Sequence, residues 1–379
     1  MDILLTEEER MFRRQTRDFV ENEISPCAGE WDRRNELAYE AFQKMASVGL
    51  TGLTIPVEYG GQGGSLMESF LMSVELARAS ISVASIIGTH LGLALSGLYH
   101  YGTEDQRRKY VVPAAKGEKL CAFGLTEHEA SSDVSGMTTT ARREGDEWVL
   151  NGQKCFISNG DKADIILTFA TVDRSLGAKG ITAFVIEKGM PGFSIGKIED
   201  KLGIRAESVS ELVFEDVHVP AENLVGEVGK GMRIALATLD EGRLDVAGQG
   251  VGVASVALDA AIAYSKQRQQ FGKPISEFQG IQWMLVDMAN QVDAAWLMAY
   301  RAARLADSGE RFSKEVAQAK LFAANAAMDV VRKSLQIHGG YGFMKDLPIE
   351  RYFRDAKILE IYEGTSEVQK LVIARAMLS

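Results

Sequence analysis

Apolar and polar positions repeat along the chain with two periods, and the period changes twice. From the start to about residue 115, helix-forming residues fill the intervals between a few glycine and proline clusters. The densest cluster, Gly60-Gly61-Gln62-Gly63-Gly64, predicts a loop, and Thr6 with Glu9 predicts a capping box opening a helix. Between about Leu120 and Val225 the texture turns to short β-branched and aromatic runs, and Ile165 to Ala170, Ile181 to Ile186 and Glu211 to Val219 predict strands. Trp148-Val149-Leu150, Asn151-Gly152 and Lys154 to Ile157 together predict a tight hairpin. No helical pattern separates these strands, which favours a compact antiparallel sheet over a doubly wound parallel one. Beyond Gly231 the period is helical again, and Leu321, Ala324, Met328, Val331 and Leu335 form one apolar stripe that ends at Gly339-Gly340. The chain therefore reads as α+β: an N-terminal helical domain (1–117), a middle antiparallel β domain (118–228) and a C-terminal helical bundle (229–379).

The most apolar stretch, Ile81 to Leu98, is interrupted by serines and by Gly88, Gly92 and Gly97, which suits buried helix ends better than a membrane span. The first residues reach Glu7-Glu8-Glu9 at once, without the basic start and apolar core of a signal peptide, so a cytoplasmic location is expected. Composition changes the picture little: 379 residues, 46% hydrophobic and 25% charged, suit a soluble globular protein of two or three domains. A formal charge of −10 repels nucleic acid, so any anionic ligand needs a local cluster of donors. Cys27, Cys121 and Cys155 are scattered and lack a CxxC, and the five histidines offer no ligand pair, which argues against disulfides and a metal site.

Candidate chemistry begins with exclusions. Neither GxGxxG after a strand nor GxxxxGK[ST] is present, and Gly226 to Gly231 reads as a linker into the bundle. A GxSxG nucleophile elbow is also missing. Among the carboxylates, Glu363 is unusually placed: it precedes a final helix that Thr365 or Ser366 can cap, with Gln369 completing a box from Ser366. Ile361 and Tyr362 would raise its pKa toward that of a general base, although for an isolated glutamate a solvated surface position is the commoner outcome. Gln336 to Gly342 could be a helix cap and turn, or a place where backbone N–H groups meet phosphate. Phe123 to Glu127 could be an ordinary strand.

Taken in order, Phe123-Gly124-Leu125-Thr126-Glu127 with Ser132-Asp133, Leu150-Asn151-Gly152-Gln153-Lys154 with Ser158-Asn159-Gly160, Arg268 to Lys273, Gln336 to Gly340, Arg354 to Lys357 and Ile361 to Thr365 resemble the signatures of the acyl-CoA dehydrogenase family. The resemblance spans essentially the whole chain. It implies an N-terminal helical domain, a middle β-barrel domain and a C-terminal four-helix bundle, with noncovalent FAD as cofactor. Phe123, Leu125 and Thr126 would touch the flavin, Phe156 would pack near its ring, and Ser158 would donate toward its reactive central nitrogen. Arg268, Gln270, Phe271, Gln336, Gly339 and Gly340 would reach the diphosphate and adenine end across a subunit boundary, implying a homotetramer. Thr365 and Glu367 would meet the cofactor near the last helix start, and Glu363 would be the catalytic base.

The same resemblance places Ser132, Asp240, Arg243 and Gly364 at the CoA substrate. Some relatives carry the base at the position of Gly242, so Glu363 is the single base here, with Glu241 a neighbour. The loop from Thr126 to Asp133 lacks the Pro and Gly that relatives usually carry, and His128 reads as a loop residue. The implied activity is conversion of an acyl-CoA to its trans-2-enoyl-CoA, with electrons passing to an electron-transfer flavoprotein. Competing readings are a flavin oxidase on the same fold and a flavin-free helical scaffold. Members that take dicarboxylic acyl groups carry an arginine along the stretch matching Ser80 to Gly92, where this chain has Ala84, Gly88 and Leu91. A neutral short, branched or alicyclic acyl group is therefore expected, with His90 the one residue there that could supply a cation.

Overall fold

The computed structural model describes residues 2–378; Met1 and Ser379 lie outside them. The first long helix, Glu7–Phe19, opens on the expected box: the Thr6 hydroxyl accepts the Glu9 N–H at 3.2 Å, and the Glu9 carboxylate accepts the Thr6 N–H at 2.8 Å. Ser65 and Glu68 repeat the device at the start of Leu66–Ala79, a helix buried along most of its length against the first bundle helix. The glycine cluster before it is a loop, and Gly61 has no room for a side chain: a Cβ there would sit 2.0 Å from the Ile55 carbonyl.

The stretch expected to hold buried helix ends is instead one through-running helix: Ile81–Ile87, a π-helical segment Gly88–Leu95, and Ser96–Tyr101. It is long and apolar enough to cross a membrane by length and composition, as is Gly231–Gln267, yet its most apolar window is wholly buried in the protein. Its glycines let neighbouring groups approach the backbone. A Cβ on Gly97 would lie 2.6 Å from Leu167, and one on Gly92 would lie 2.5 Å from the Asp245 carboxylate.

The middle of the chain forms a sheet of β1 (Cys121–Gly124), β2 (Thr140–Glu144), β3 (Glu147–Ser158), β4 (Ile165–Thr171), β5 (Ile181–Glu187), β6 (Phe193–Ile198), β7 (Val209–Pro220) and β8 (Leu224–Val225). The order β6-β7-β3-β2-β4-β5-β8 is mostly antiparallel, while β1 and the start of β2 run parallel to β4. One expectation fails here. Asn151-Gly152 is a bulge within the continuous strand β3, where the register against β7 shifts between Leu150 and Gly152. The Asn151 amide bonds Asp216, and a Cβ on Gly152 would meet the Thr139 Cα at 2.6 Å, so tertiary contacts use this pair to re-aim a strand. The tight turn comes one element earlier, at Gly145-Asp146, where Gly145 has φ +60° and Glu144 pairs Glu147.

The bundle consists of Gly231–Gln267, Gln279–Asp307, Ser313–His338 and Ser366–Leu378. Alanine and glycine dominate its buried positions, which lets the axes approach closely. On Ser313–His338 the stripe read from the sequence faces the core in part: Ala324 and Val331 are buried with Ala323, Ala327, Val330 and Ser334, while Leu321, Met328 and Leu335 are half-buried.

Candidate active site

Glu363 and Gly364 both adopt left-handed backbone, with φ +52° and +93°, between the turn Lys357–Glu360 and the last helix. A glutamate in that region is strained and persists where its surroundings over-determine it. Three side chains do so here: Lys320 Nζ donates to the Gly364 carbonyl at 2.7 Å, Gln369 Nε2 donates to both carbonyls (3.2 and 2.9 Å), and Arg243 Nε donates to the Glu363 carbonyl at 3.4 Å. Thr365 is the cap, accepting the Val368 N–H at 3.3 Å. Gln369 completes no box with Ser366, because its amide is drawn to the strained loop.

The Glu363 carboxyl is buried, and its Oε2 has no hydrogen-bond partner. It lies in the space left by Gly242, where a Cβ would stand 2.2 Å from that oxygen and 2.7 Å from Leu93. Burial pushes its pKa up to about 8, the charge of Asp245 adds to the rise, and Lys320 and Arg243 oppose it. The surface alternative is thus excluded. The desolvation comes from the core, since Ile361 is exposed, and Tyr362 turns inward to donate its hydroxyl to Gln249. Burial likewise lowers the Lys320 ammonium to about 8, with Glu363 holding it up. Glu241 faces away, taking a hydrogen bond from Ser96 at 2.7 Å.

The residues expected at the flavin form a continuous edge. β1 ends at Gly124, the Cys155 N–H donates to the Thr126 carbonyl at 2.9 Å, and Lys154 Nζ donates to the Leu125 carbonyl at 3.2 Å. Phe123 and Leu125 are therefore set beside Phe156 and Ser158. Phe156 sits at φ +57° with 61% of its surface exposed, an aromatic ring presented by strained backbone with little of the protein against it. The adjoining loop is fixed without Pro or Gly: the Glu127 carboxylate accepts the Thr138 and Thr139 N–H groups and pairs with the buried Lys154 at 2.7 Å. Its pKa falls to about 2, because Lys154 and these donors overcome the cost of burial. Ser132 is exposed on this loop, and His128 pairs with Glu211 at its surface.

A second group gathers elsewhere. The turn after Gly231–Gln267 is a two-stranded hairpin with Phe271 (φ +53°) and Gly272 (φ +81°) at its tip. Arg268, Gln270 and Phe271 are exposed there, Phe271 at 93%. Tyr264 stacks on His338 at 4.4 Å and Arg268 lies over Tyr341 at 5.7 Å, which joins the hairpin to the exposed turn of Gln336, Gly339 and Gly340. Neither glycine has an atom near where a Cβ would stand, so the backbone is open to a ligand. An aromatic shelf at one place and an arginine beside bare glycine backbone at the other fit the ring and the diphosphate of FAD. Thr365 and Glu367 stand at the exposed start of the last helix, where free N–H groups favour an anion.

Asp240 and Arg243 join the Glu363 loop. Arg243, buried on the bundle helix, pairs with Asp240 at 2.6 Å and reaches the Glu363 carbonyl, and Ser313 donates to Asp240. His90 supplies no cation: it is fully buried, its Nδ1 accepts the Cys121 N–H at 3.0 Å, and burial lowers its pKa to about 4. Sequence reasoning missed Lys320, Asp245, Gln249 and Glu207. A signal existed for two of them, since Asp245 and Gln249 interrupt a run of small apolar residues from Leu244 to Ala254.

Comparison with known proteins agrees with this geometry. Models of the acyl-CoA dehydrogenase N-terminal, middle and C-terminal domains match residues 6–118, 122–217 and 229–378. A short-chain-specific acyl-CoA dehydrogenase of Clostridium acetobutylicum is 49% identical over 99% of both chains. An NADH-linked acryloyl-CoA reductase of Anaerotignum propionicum is 47% identical over 100% of this chain and 96% of its own. A chain from the structure of the electron transferring flavoprotein of Acidaminococcus fermentans superposes over all of both chains with a TM-score of 0.98 at 44% identity. With helices, sheet and bundle in this order and three domain models covering them, the chain belongs to the acyl-CoA dehydrogenase family of FAD-dependent oxidoreductases.

Proposed function

We propose that the chain oxidises a short acyl-CoA thioester to the trans-2-enoyl-CoA, with Glu363 as the base that removes the α-proton. The observation that carries this reading is the Glu363 carboxyl, whose buried Oε2 has no hydrogen-bond partner, on a backbone held by Lys320, Gln369 and Arg243. A thioester α-C–H is weakly acidic, so a base with its pKa near 8 is better matched to it than an ordinary carboxylate. FAD would be held by the Phe123–Ser158 edge and the Arg268 and Gln336 turns and would supply the hydride acceptor. The same carboxyl, protonated, would return a proton to Cα in the reverse direction, which is the sense of the acryloyl-CoA reductase relative. A carboxylate-bearing acyl group is disfavoured, since His90 is neutral and Ala84 and Gly88 offer no charge.

Transfer of electrons to an electron-transfer flavoprotein is supported by the likeness to a chain from such a protein's structure. Assembly as a homotetramer is supported by the exposed Phe271 and Phe343 beside the second cofactor-binding group. A cytoplasmic location goes with the bacterial relatives. The test is Glu363→Gln, which keeps shape and cannot accept the proton. It should retain flavin and lose turnover of butyryl-CoA by ~100 to 10,000-fold. Retention of more than about a tenth of wild-type turnover would remove Glu363 from the role. Oxygen consumption without an added acceptor would indicate an oxidase.

A further inference from the structure

Two carboxyl groups beside Glu363 lack a counter-ion, and the reaction proposed above uses neither. Glu207 is fully buried, and neither of its carboxyl oxygens has a hydrogen-bond partner. The one cation whose field reaches it, Lys201, is committed to the Glu207 main-chain carbonyl at 2.7 Å. The hydroxyls of Ser85 and Ser158 lie beside it. By the family resemblance, Ser158 faces the reactive flavin nitrogen, where the acyl β-carbon must sit. The charge of Glu207 also acts on Tyr362 and Glu363, so its carboxyl lies within electrostatic reach of the base.

Asp245 approaches from the bundle helix. Its Oδ1 takes hydrogen bonds from Ser69 at 2.9 Å and Ser73 at 3.2 Å, while Oδ2 lies against Gly92 and Gly88, 2.5 and 3.8 Å from where their Cβ atoms would be. These are the bare positions of the helix that runs past Glu363. Burial raises Glu207 to about 7 and Asp245 to about 6. A buried carboxyl without a partner is costly in a well-packed protein.

We infer that the acyl pocket takes a thioester whose acyl chain ends in a positively charged nitrogen, with Glu207 as its main counter-ion and Asp245 as its second. This rests on Glu363 marking the acyl site. An ammonium group would give both carboxyls a counter-ion; a methyl terminus leaves them without one; a carboxylate adds a further negative charge. The order of preference is therefore cationic, then neutral, then anionic, which extends the neutral preference expected from the lack of a cation along Ser80 to Gly92.

The experiment compares isosteric pairs on the flavin-loaded enzyme with an artificial electron acceptor: 6-aminohexanoyl-CoA against heptanoyl-CoA, and 4-trimethylammoniobutanoyl-CoA against 5,5-dimethylhexanoyl-CoA. The charged member of at least one pair should show kcat/KM higher by about tenfold or more. Glu207→Gln, and independently Asp245→Asn, should bring that ratio toward one, and flavin content reports whether each variant folds. A neutral member equal or better in both pairs, including no turnover of the charged members, overturns the inference. So does a wild-type ratio that both variants leave unchanged. Butyryl-CoA separates the two readings: if it bleaches the flavin, failure of the charged thioesters sinks this inference alone, whereas if it does not, the dehydrogenase reading falls first.

Discussion

Replacing Gly242 with alanine places a methyl group where the Glu363 carboxyl now rests. The new Cβ would stand 2.2 Å from Oε2 and 2.8 Å from the carboxyl carbon, against 3.4 Å for ordinary contact, so the carboxyl must withdraw by about 1.2 Å. It can do so, because it is the free end of a flexible side chain and Oε2 gives up no hydrogen bond. The fold should therefore survive while the base leaves its place. A misplacement of ~1 Å at a reacting group costs ~100-fold in rate, or ~2.7 kcal/mol of barrier. The assay is stopped-flow bleaching of bound flavin by butyryl-CoA, with flavin content and Tm measured on the same samples. Bleaching slowed ~100-fold with Tm and flavin close to wild type is the expected outcome. Bleaching within about threefold of wild type would show that the carboxyl acts from another position, and a large drop in Tm would show that Leu93, 2.7 Å from the same Cβ, carries the clash.

Two other outcomes follow from the cofactor edges. Arg268→Ala should lower flavin retention and shift the oligomer in gel filtration together, if the exposed guanidinium over Tyr341 binds diphosphate at a subunit boundary as the family resemblance implies; full flavin with an unchanged oligomer would refute that placement. Lys154→Met should destabilise the protein by ~3–5 kcal/mol in urea unfolding, because it strands the buried Glu127 carboxylate, and a change below about 1 kcal/mol would show that the Thr138 and Thr139 donors suffice alone.

Much of the architecture was legible because it depends on local chemistry. The Thr6–Glu9 box, the loop at Gly60 to Gly64, strands β4, β5 and β7 and the helix leading to Gly339 follow from capping, turn residues and periodicity, which act within a few residues. Asn151-Gly152 was misread for a related reason. The pair is a strong turn former on its own, and only Thr139 and Asp216, distant in sequence or across the sheet, convert it to a bulge. Ile81 to Tyr101 showed its apolarity and its glycines, but whether those glycines end a helix or receive Asp245 and Leu167 depends on what packs against them.

The site divides along the same line. The residues alone drew notice to Glu363 before a final helix and to the Gln336 to Gly340 turn, each with an ordinary structural reading favoured, and the Arg268 run stood out only through the family resemblance. The surroundings of the Glu363 carboxyl were decided only by the tertiary structure. A pKa near 8 comes first from burial and then from the charges of Asp245 and Glu207, against the opposing Lys320 and Arg243, all more than forty residues away in sequence and meeting around one loop. Glu207 and Lys320 look like ordinary charged residues in a linear reading. Only burial, which removes the water that would screen them, makes them part of the electrostatics around Glu363.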